Sequence, residues 1–308
     1  MSLPTFLIIG AAKAGTTSLF SYIAQHPSIF TPNVKEPRYF AIAEAEHKAW
    51  KGPDWMSGLD QTSFVDEWRR YEQLFDGSDL YAAAGEASTL YLYDKNAPRR
   101  IAERLPEVKL VAVLRHPVDR AFSHFVMNWQ AGVETTTTFS EALSLEAERI
   151  EKGWSPTYHY ATRGLYGEQL ARYKQHFSDD QLLVLLYDDY SHNPVDTVKR
   201  AFRWIGVAPY DVDTSRRLNT ASRVPPNSAV EKLIGAADPL RRFLKSFLPG
   251  CARQAIRKGV ENAVYQKPTI EKEDAQRLQK YYDADLMQLQ KLINANISHW
   301  QQRYAKDD

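Results

Sequence analysis

Gly10-Ala11-Ala12-Lys13-Ala14-Gly15-Thr16-Thr17-Ser18 stands directly between an apolar run, Thr5 to Ile9, and a stretch with helical spacing, Thr16 to Gln25. A strand that feeds a helix through a glycine-bounded loop narrows the choice of folds sharply. Glycines permit the tight turn, loop N–H groups point inward, and the helix N-terminus favours a bound anion. Lys13 adds a point charge, and Thr16, Thr17 and Ser18 add hydroxyl donors. With all these features in register, the stretch reads as an anion cradle rather than a plain connection. It is not a Walker A sequence, which ends in Gly-Lys-Ser/Thr. Here Gly15 is followed by Thr16, and the lysine lies inside the loop.

Further along, Lys109 to Leu114 reads as a second buried strand, followed by a helix from Pro117 to about Trp129. Gln181 to Tyr187 reads as a third strand before a helix from Pro194 to Ile205. Thr138-Phe139-Ser140-Glu141 predicts a capping box opening a helix that reaches Lys152, and a last amphipathic helix runs from Lys272 to about Ile293. Strands that alternate with helices and are apolar throughout predict an α/β fold, a parallel sheet with helices on both faces. Residues 41–80, with Trp50, Trp55 and Trp68, and residues 225–268 break this rhythm and read as insertions within one domain spanning 1–308.

Composition limits the partners. The 308 residues carry 39 Lys plus Arg against 38 Asp plus Glu, a net charge of +1, which excludes a general polyanion or nucleic-acid binder but not a local basic pocket. The single cysteine, Cys251, excludes an internal disulfide and a Cys-rich zinc site. No His-x-x-x-His or Glu-x-x-His pairing points to a metal. With no signal peptide or membrane anchor legible, a cytoplasmic setting is expected.

A second constellation follows the second strand: Arg115-His116-Pro117-Val118-Asp119-Arg120-Ala121-Phe122-Ser123-His124. Arg115 falls at the carboxyl end of a buried strand, where open α/β sheets bind ligands, and Ser123 lies one to two turns into the next helix. Arginine plus a hydroxyl suits a terminal phosphate. Taken alone, Arg115 can equally cap a helix or pair with a carboxylate. Beside the first loop, the phosphate reading is preferred. An arginine also stands where an ATPase would hold magnesium with an aspartate, which counts against a P-loop nucleotide kinase or NTPase.

Together these motifs resemble the sulfotransferase family that uses 3′-phosphoadenosine-5′-phosphosulfate (PAPS), in its heparan-sulfate-type and bacterial branch. Lys35-Glu36-Pro37-Arg38-Tyr39-Phe40, Gly85-Glu86-Ala87-Ser88, Gly164 to Leu170 and the final helix extend the likeness over most of residues 5–300. The resemblance implies a P-loop-like α/β fold, PAPS as co-substrate and no metal. It implies that Lys13 contacts the oxygen bridging phosphate and sulfate, and that Ala14, Gly15, Thr16, Thr17 and Ser18 form the 5′-phosphosulfate loop. By the same likeness Arg115 and Ser123 hold the 3′-phosphate, Tyr166 lies near the adenine, and Glu36 is the catalytic base. Glu86 is the rival base or a residue that orients one. From the residues alone Glu36 reads as a surface carboxylate beside Lys35 and Arg38.

The acceptor implied is a hydroxyl compound: a small molecule, lipid, sugar or carrier-bound acyl chain. Ala87 replaces a lysine of heparan-type enzymes, which points to a neutral or amphipathic acceptor rather than a polysulfated glycan. Asn219 and Arg223 are further candidate ligands. The basic run at 240–258, with Leu240, Phe243, Leu244, Phe247 and Leu248 interleaved, reads as a solvated helix face or as a dock for a carrier protein or membrane surface. A non-catalytic module that keeps the nucleotide pocket and docks a partner is the alternative to an enzyme.

Overall fold

The computed structural model describes residues 3–42, 48–52, 64–215 and 268–304. Residues 1–219 and 271–308 form one compact unit and 220–270 a second. Nearly all of the second unit lies outside the described residues, as do Trp55, Asn219, Arg223 and the basic run at 240–258.

The first unit is built on a five-stranded sheet in the order β2-β3-β1-β4-β5, comprising β1 (Phe6–Gly10), β2 (Ile29–Phe30), β3 (Ala83–Ala87), β4 (Lys109–Leu114) and β5 (Leu182–Leu186). Every pairing is parallel, so all strands end on the same side. β1 is central and buried along its whole length, which is why it reads as an unbroken apolar run. β3 carries no such run. Its Ala83-Ala84-Gly85-Glu86-Ala87 sequence is buried because small residues let it lie against β1. A Cβ at Gly85 would come within 2.5 Å of the Phe6 carbonyl oxygen.

The helices are α1 (Thr16–Ile23), α2 (Tyr39–Ile42), α3 (Trp68–Gln73), α4 (Ala97–Arg104), α5 (Pro117–Gln130), α6 (Phe139–Glu151), α7 (Tyr166–Lys174), α8 (Tyr187–His192), α9 (Pro194–Ile205), α10 (Lys272–Leu292) and α11 (Ser298–Gln302). α5, α9 and α10 match the sequence expectation to within a residue, and α1 ends two residues early. α6 begins as expected, with the Thr138 hydroxyl accepting the Glu141 N–H at 3.2 Å. Its capping box is displaced: Glu141 returns to the N–H of Thr137 at 3.3 Å rather than to that of Thr138. Among the described residues no helix is long and apolar enough to cross a membrane.

Candidate active site

The site gathers at the carboxyl ends of β1, β3 and β4. After β1 the chain turns through Lys13 at φ 69° and Gly15 at φ 87°, the left-handed conformation that glycine adopts without steric cost. Space at Gly15 is short as well, since a Cβ there would meet Tyr190 at 3.0 Å and Tyr187 at 3.2 Å. Thr16 and Ser18 are buried on the first turn of α1, and Ser18 is hydrogen-bonded to Tyr190. The loop is pinned from below by the Ala11 N–H, which donates to the Val113 carbonyl at 2.7 Å.

Arg115 meets this loop directly. Its Nη1 donates to the Lys13 carbonyl at 3.3 Å, and its guanidinium lies 5.1 Å over the Tyr187 ring. Its Nε is buried without a partner among the described residues. Lys13 Nζ reaches the Met127 thioether at 3.3 Å. Met127 is four residues beyond Ser123 on α5, so both share the helix face that looks at the loop. Ser123 carries no side-chain hydrogen bond among the described residues. The two sequence motifs are therefore adjoining walls of one site.

That site is strongly positive. Burial, then Arg115, Arg120 and Lys35, lower the Lys13 ammonium from its ordinary value. Arg163 is pushed down to about 10 by burial and by Arg120. His124 is held well below the usual imidazole range by burial, Arg163, Arg120 and Lys13, so it is neutral. Arg120 has no exposed surface and leaves Nε and Nη1 without partners among the described residues. Buried cations assembled this way call for anionic partners. Neither Arg120 nor Arg163 is among the residues singled out from the sequence. Arg120 stands inside the second motif as a readable signal, whereas Arg163 comes to the site on a single 3-10 turn, Thr162–Gly164, with no sequence pattern.

Glu36 is anchored at the end of β3. Its carboxylate accepts the Thr89 N–H at 3.2 Å and the Thr89 hydroxyl at 3.1 Å, and pairs with Arg38 Nε at 3.4 Å. Residues 88–92 run beside the end of β1: the Ser88 N–H donates to the Ile8 carbonyl at 3.0 Å and the Leu92 N–H to the Ile9 carbonyl at 2.9 Å. Glu36 is thereby tethered next to the point where β1 becomes the loop. Glu36 and Arg38 both have positive φ, 53° and 58°, so their segment is strained and held by these bonds.

Glu86 lies beneath, with no exposed surface. Its Oε1 accepts the Tyr91 hydroxyl at 2.7 Å and the Tyr71 hydroxyl at 3.3 Å, and its Oε2 accepts the Ser88 hydroxyl at 2.8 Å. The Ser88 oxygen in turn accepts the Arg38 N–H at 2.9 Å. Burial pushes the Glu86 carboxyl up to about 7, opposed by the hydrogen bonds from Tyr91 and Ser88. Tyr71 belongs to an aromatic cluster, stacked on Trp68 at 5.6 Å and on Tyr39 at 5.0 Å. Tyr166 is likewise fully buried and has no open ring face for a base. Its hydroxyl is pushed up to about 12 by burial, against the pull of Arg120 and Arg115. Among the described residues no cluster of His, Cys, Asp and Glu is placed to hold a metal ion.

The site is thus a parallel α/β sheet with a non-Walker loop after its central strand, facing an arginine at the end of the next strand. The chain belongs to the sulfotransferase family, whose model matches residues 4–211. It is 27% identical over 218 residues to the bifunctional heparan sulfate N-deacetylase/N-sulfotransferase 2 of Bos taurus, covering 68% of this chain. To the corresponding enzyme 1 of Caenorhabditis elegans it is 25% identical over 219 residues, 69% of this chain. The chain spans only 22% and 23% of the length of these two relatives. A sulfotransferase from Alicyclobacillus acidocaldarius is similar in structure, with a TM-score of 0.75 and 28% identity, covering 98% of this chain and 100% of that one. These findings give the nucleotide-kinase reading no support.

Proposed function

We propose that this chain transfers a sulfuryl group from PAPS to an acceptor hydroxyl, with Glu36 as general base. The observation that carries this is the joining of Lys13 to Arg115 through the Lys13 carbonyl, with Glu36 tethered at the start of the same loop. Arg115 and Ser123 hold the 3′-phosphate, and Lys13 with the N–H groups and hydroxyls from Ala14 to Ser18 holds the 5′-phosphosulfate. PAPS supplies the activated sulfuryl group and a bisphosphate leaving group. Glu36 takes the proton of the acceptor hydroxyl as its oxygen bonds to sulfur. Lys13 faces the bridging oxygen, which keeps the electron pair of the broken S–O bond, and its charge matters most in the transition state.

Glu86 is read as a positioning residue, since it has no surface with which to touch an acceptor. Tyr166, buried beside Arg115, is read as lying near the adenine and backing that arginine. Ala87 favours a neutral or amphipathic hydroxyl acceptor, and the basic run at 240–258 is a candidate dock for a carrier protein or membrane surface. Cys251 as the single cysteine fits a reducing, cytoplasmic setting.

A labelled-sulfuryl donor screen across phenols, lipids, sugars and acyl-carrier substrates tests the reaction. Label on a hydroxyl acceptor, with no need for magnesium, supports it. Magnesium-dependent preference for ATP overturns the donor, and salt-sensitive turnover on heparan-like chains alone overturns the acceptor class.

A further inference from the structure

The Arg115 side chain is held by the Lys13 carbonyl, at 3.3 Å, and by the Tyr187 ring, over which its guanidinium lies at 5.1 Å, and its backbone continues directly into His116. His116 and the start of the Tyr187 helix are both reached by one residue more than a hundred positions further along the chain. The carbonyl of Trp300 accepts a hydrogen bond from His116 Nε2 at 3.0 Å. Its indole N–H donates to Asp188 Oδ2 at 2.7 Å, and Asp188 directly follows Tyr187 at the start of α8. Trp300 thus ties the chain just past the end of β4 to the chain just past the end of β5. Neither Trp300 nor His116 has any exposed surface.

The residues after Trp300 extend the tie. The Tyr304 hydroxyl donates to Asp119 Oδ1 at 2.6 Å, and Arg303 Nη2 pairs with Asp119 Oδ2 at 2.9 Å. Arg303 Nη1 also lies 3.9 Å from Asp188 Oδ1. Asp119 belongs to the first turn of α5, the helix that carries Ser123. His299 Nε2 adds a second contact to Asp188 at 3.2 Å. Parallel strands leave the loops beyond their ends unfixed by the sheet ladder, and here a C-terminal segment does the fixing. That segment lies outside residues 4–211, the stretch the family model matches.

We propose that residues 298–304 form a clasp for the donor site, with Trp300 as a positioning residue that sets Arg115 for the 3′-phosphate. This rests on the donor reading above. A side chain locked by its supporting hydrogen bonds loses less freedom on binding, so the clasp acts on affinity for the 3′-phosphate rather than for the nucleotide at large.

Calorimetry with adenosine 3′,5′-bisphosphate and adenosine 5′-monophosphate, at one salt concentration, tests it. Trp300→Phe keeps the buried ring and removes the donor to Asp188. The bisphosphate should bind roughly 5-fold more weakly, the worth of about one hydrogen bond, with monophosphate affinity unchanged. Arg303→Gln combined with Tyr304→Phe, which disturbs no buried indole, should shift the same ratio in the same direction. In Arg115→Ala, adding Trp300→Phe should cost nothing further in bisphosphate affinity. Equal losses for both nucleotides, or a changed melting temperature with an unchanged ratio, overturn the clasp while leaving the donor reading intact. If Arg115→Ala itself leaves the ratio at the wild-type value, the donor reading fails first.

Discussion

Thr89 gives both its backbone N–H, at 3.2 Å, and its hydroxyl, at 3.1 Å, to the carboxylate of Glu36. The contact joins a strained segment after β2 to the end of β3, and Arg38 pairs with the same carboxylate from the other side. Thr89→Val keeps the volume and the N–H while removing the hydroxyl. Turnover should fall on the order of 10-fold or more, as for the loss of one hydrogen bond to a charged group, about 1.5–3 kcal/mol. Affinity for the bisphosphate product should not change, because Thr89 touches no donor residue. Steady-state kinetics beside calorimetry separates the two.

Glu86 carries a signed pH dependence. Burial raises its carboxyl from 4.5 in the unfolded chain to about 7 in the fold, so the folded protein holds that proton more tightly. The contribution is present in full below about pH 4.5 and lost as pH rises through about 7. Its size is at most ~3 kcal/mol. Glu86→Gln mimics the protonated form and has no such proton to lose. Urea unfolding at a series of pH values should give a flatter stability profile for the variant between about pH 5 and 8. Parallel profiles would remove Glu86 as the titrating group.

Lys13 should matter more to transfer than to binding, since its charge opposes the negative charge that grows on the bridging oxygen. Lys13→Ala should lower single-turnover rates on the order of 10²–10³-fold, the worth of one transition-state donor. Bisphosphate affinity, measured by calorimetry, should fall far less. Equal losses in both would make Lys13 a ground-state ligand.

Much of this site is legible in the amino-acid sequence. β1, β4 and β5 are buried strands and so appear as apolar runs, and the loop between Gly10 and Ser18 announces itself by glycine, lysine and hydroxyls in register. β3 is not legible in this way. A strand of three alanines, a glycine and a glutamate has no periodic or apolar signal, and it exists because Gly85 lets it approach Phe6. Glu86 reads as a rival base because a sequence cannot show that three hydroxyls enclose it. Thr89 and Trp300 escape a sequence reading for a related reason. Each acts through a partner far away in the chain, Glu36 and His116, and contacts at such separation leave no local pattern.

The assignment of Glu36 is tested most directly by Glu36→Gln, which keeps the shape and the acceptor for Thr89 while removing the basicity. Single-turnover transfer from labelled PAPS should fall on the order of 10²–10⁴-fold, the range for general-base catalysis. Bisphosphate affinity should stay at the wild-type value, and Glu86→Gln should retain more activity than Glu36→Gln. Full transfer by Glu36→Gln alongside an inactive, nucleotide-binding Glu86→Gln would contradict the assignment and move the base to the segment after Gly85.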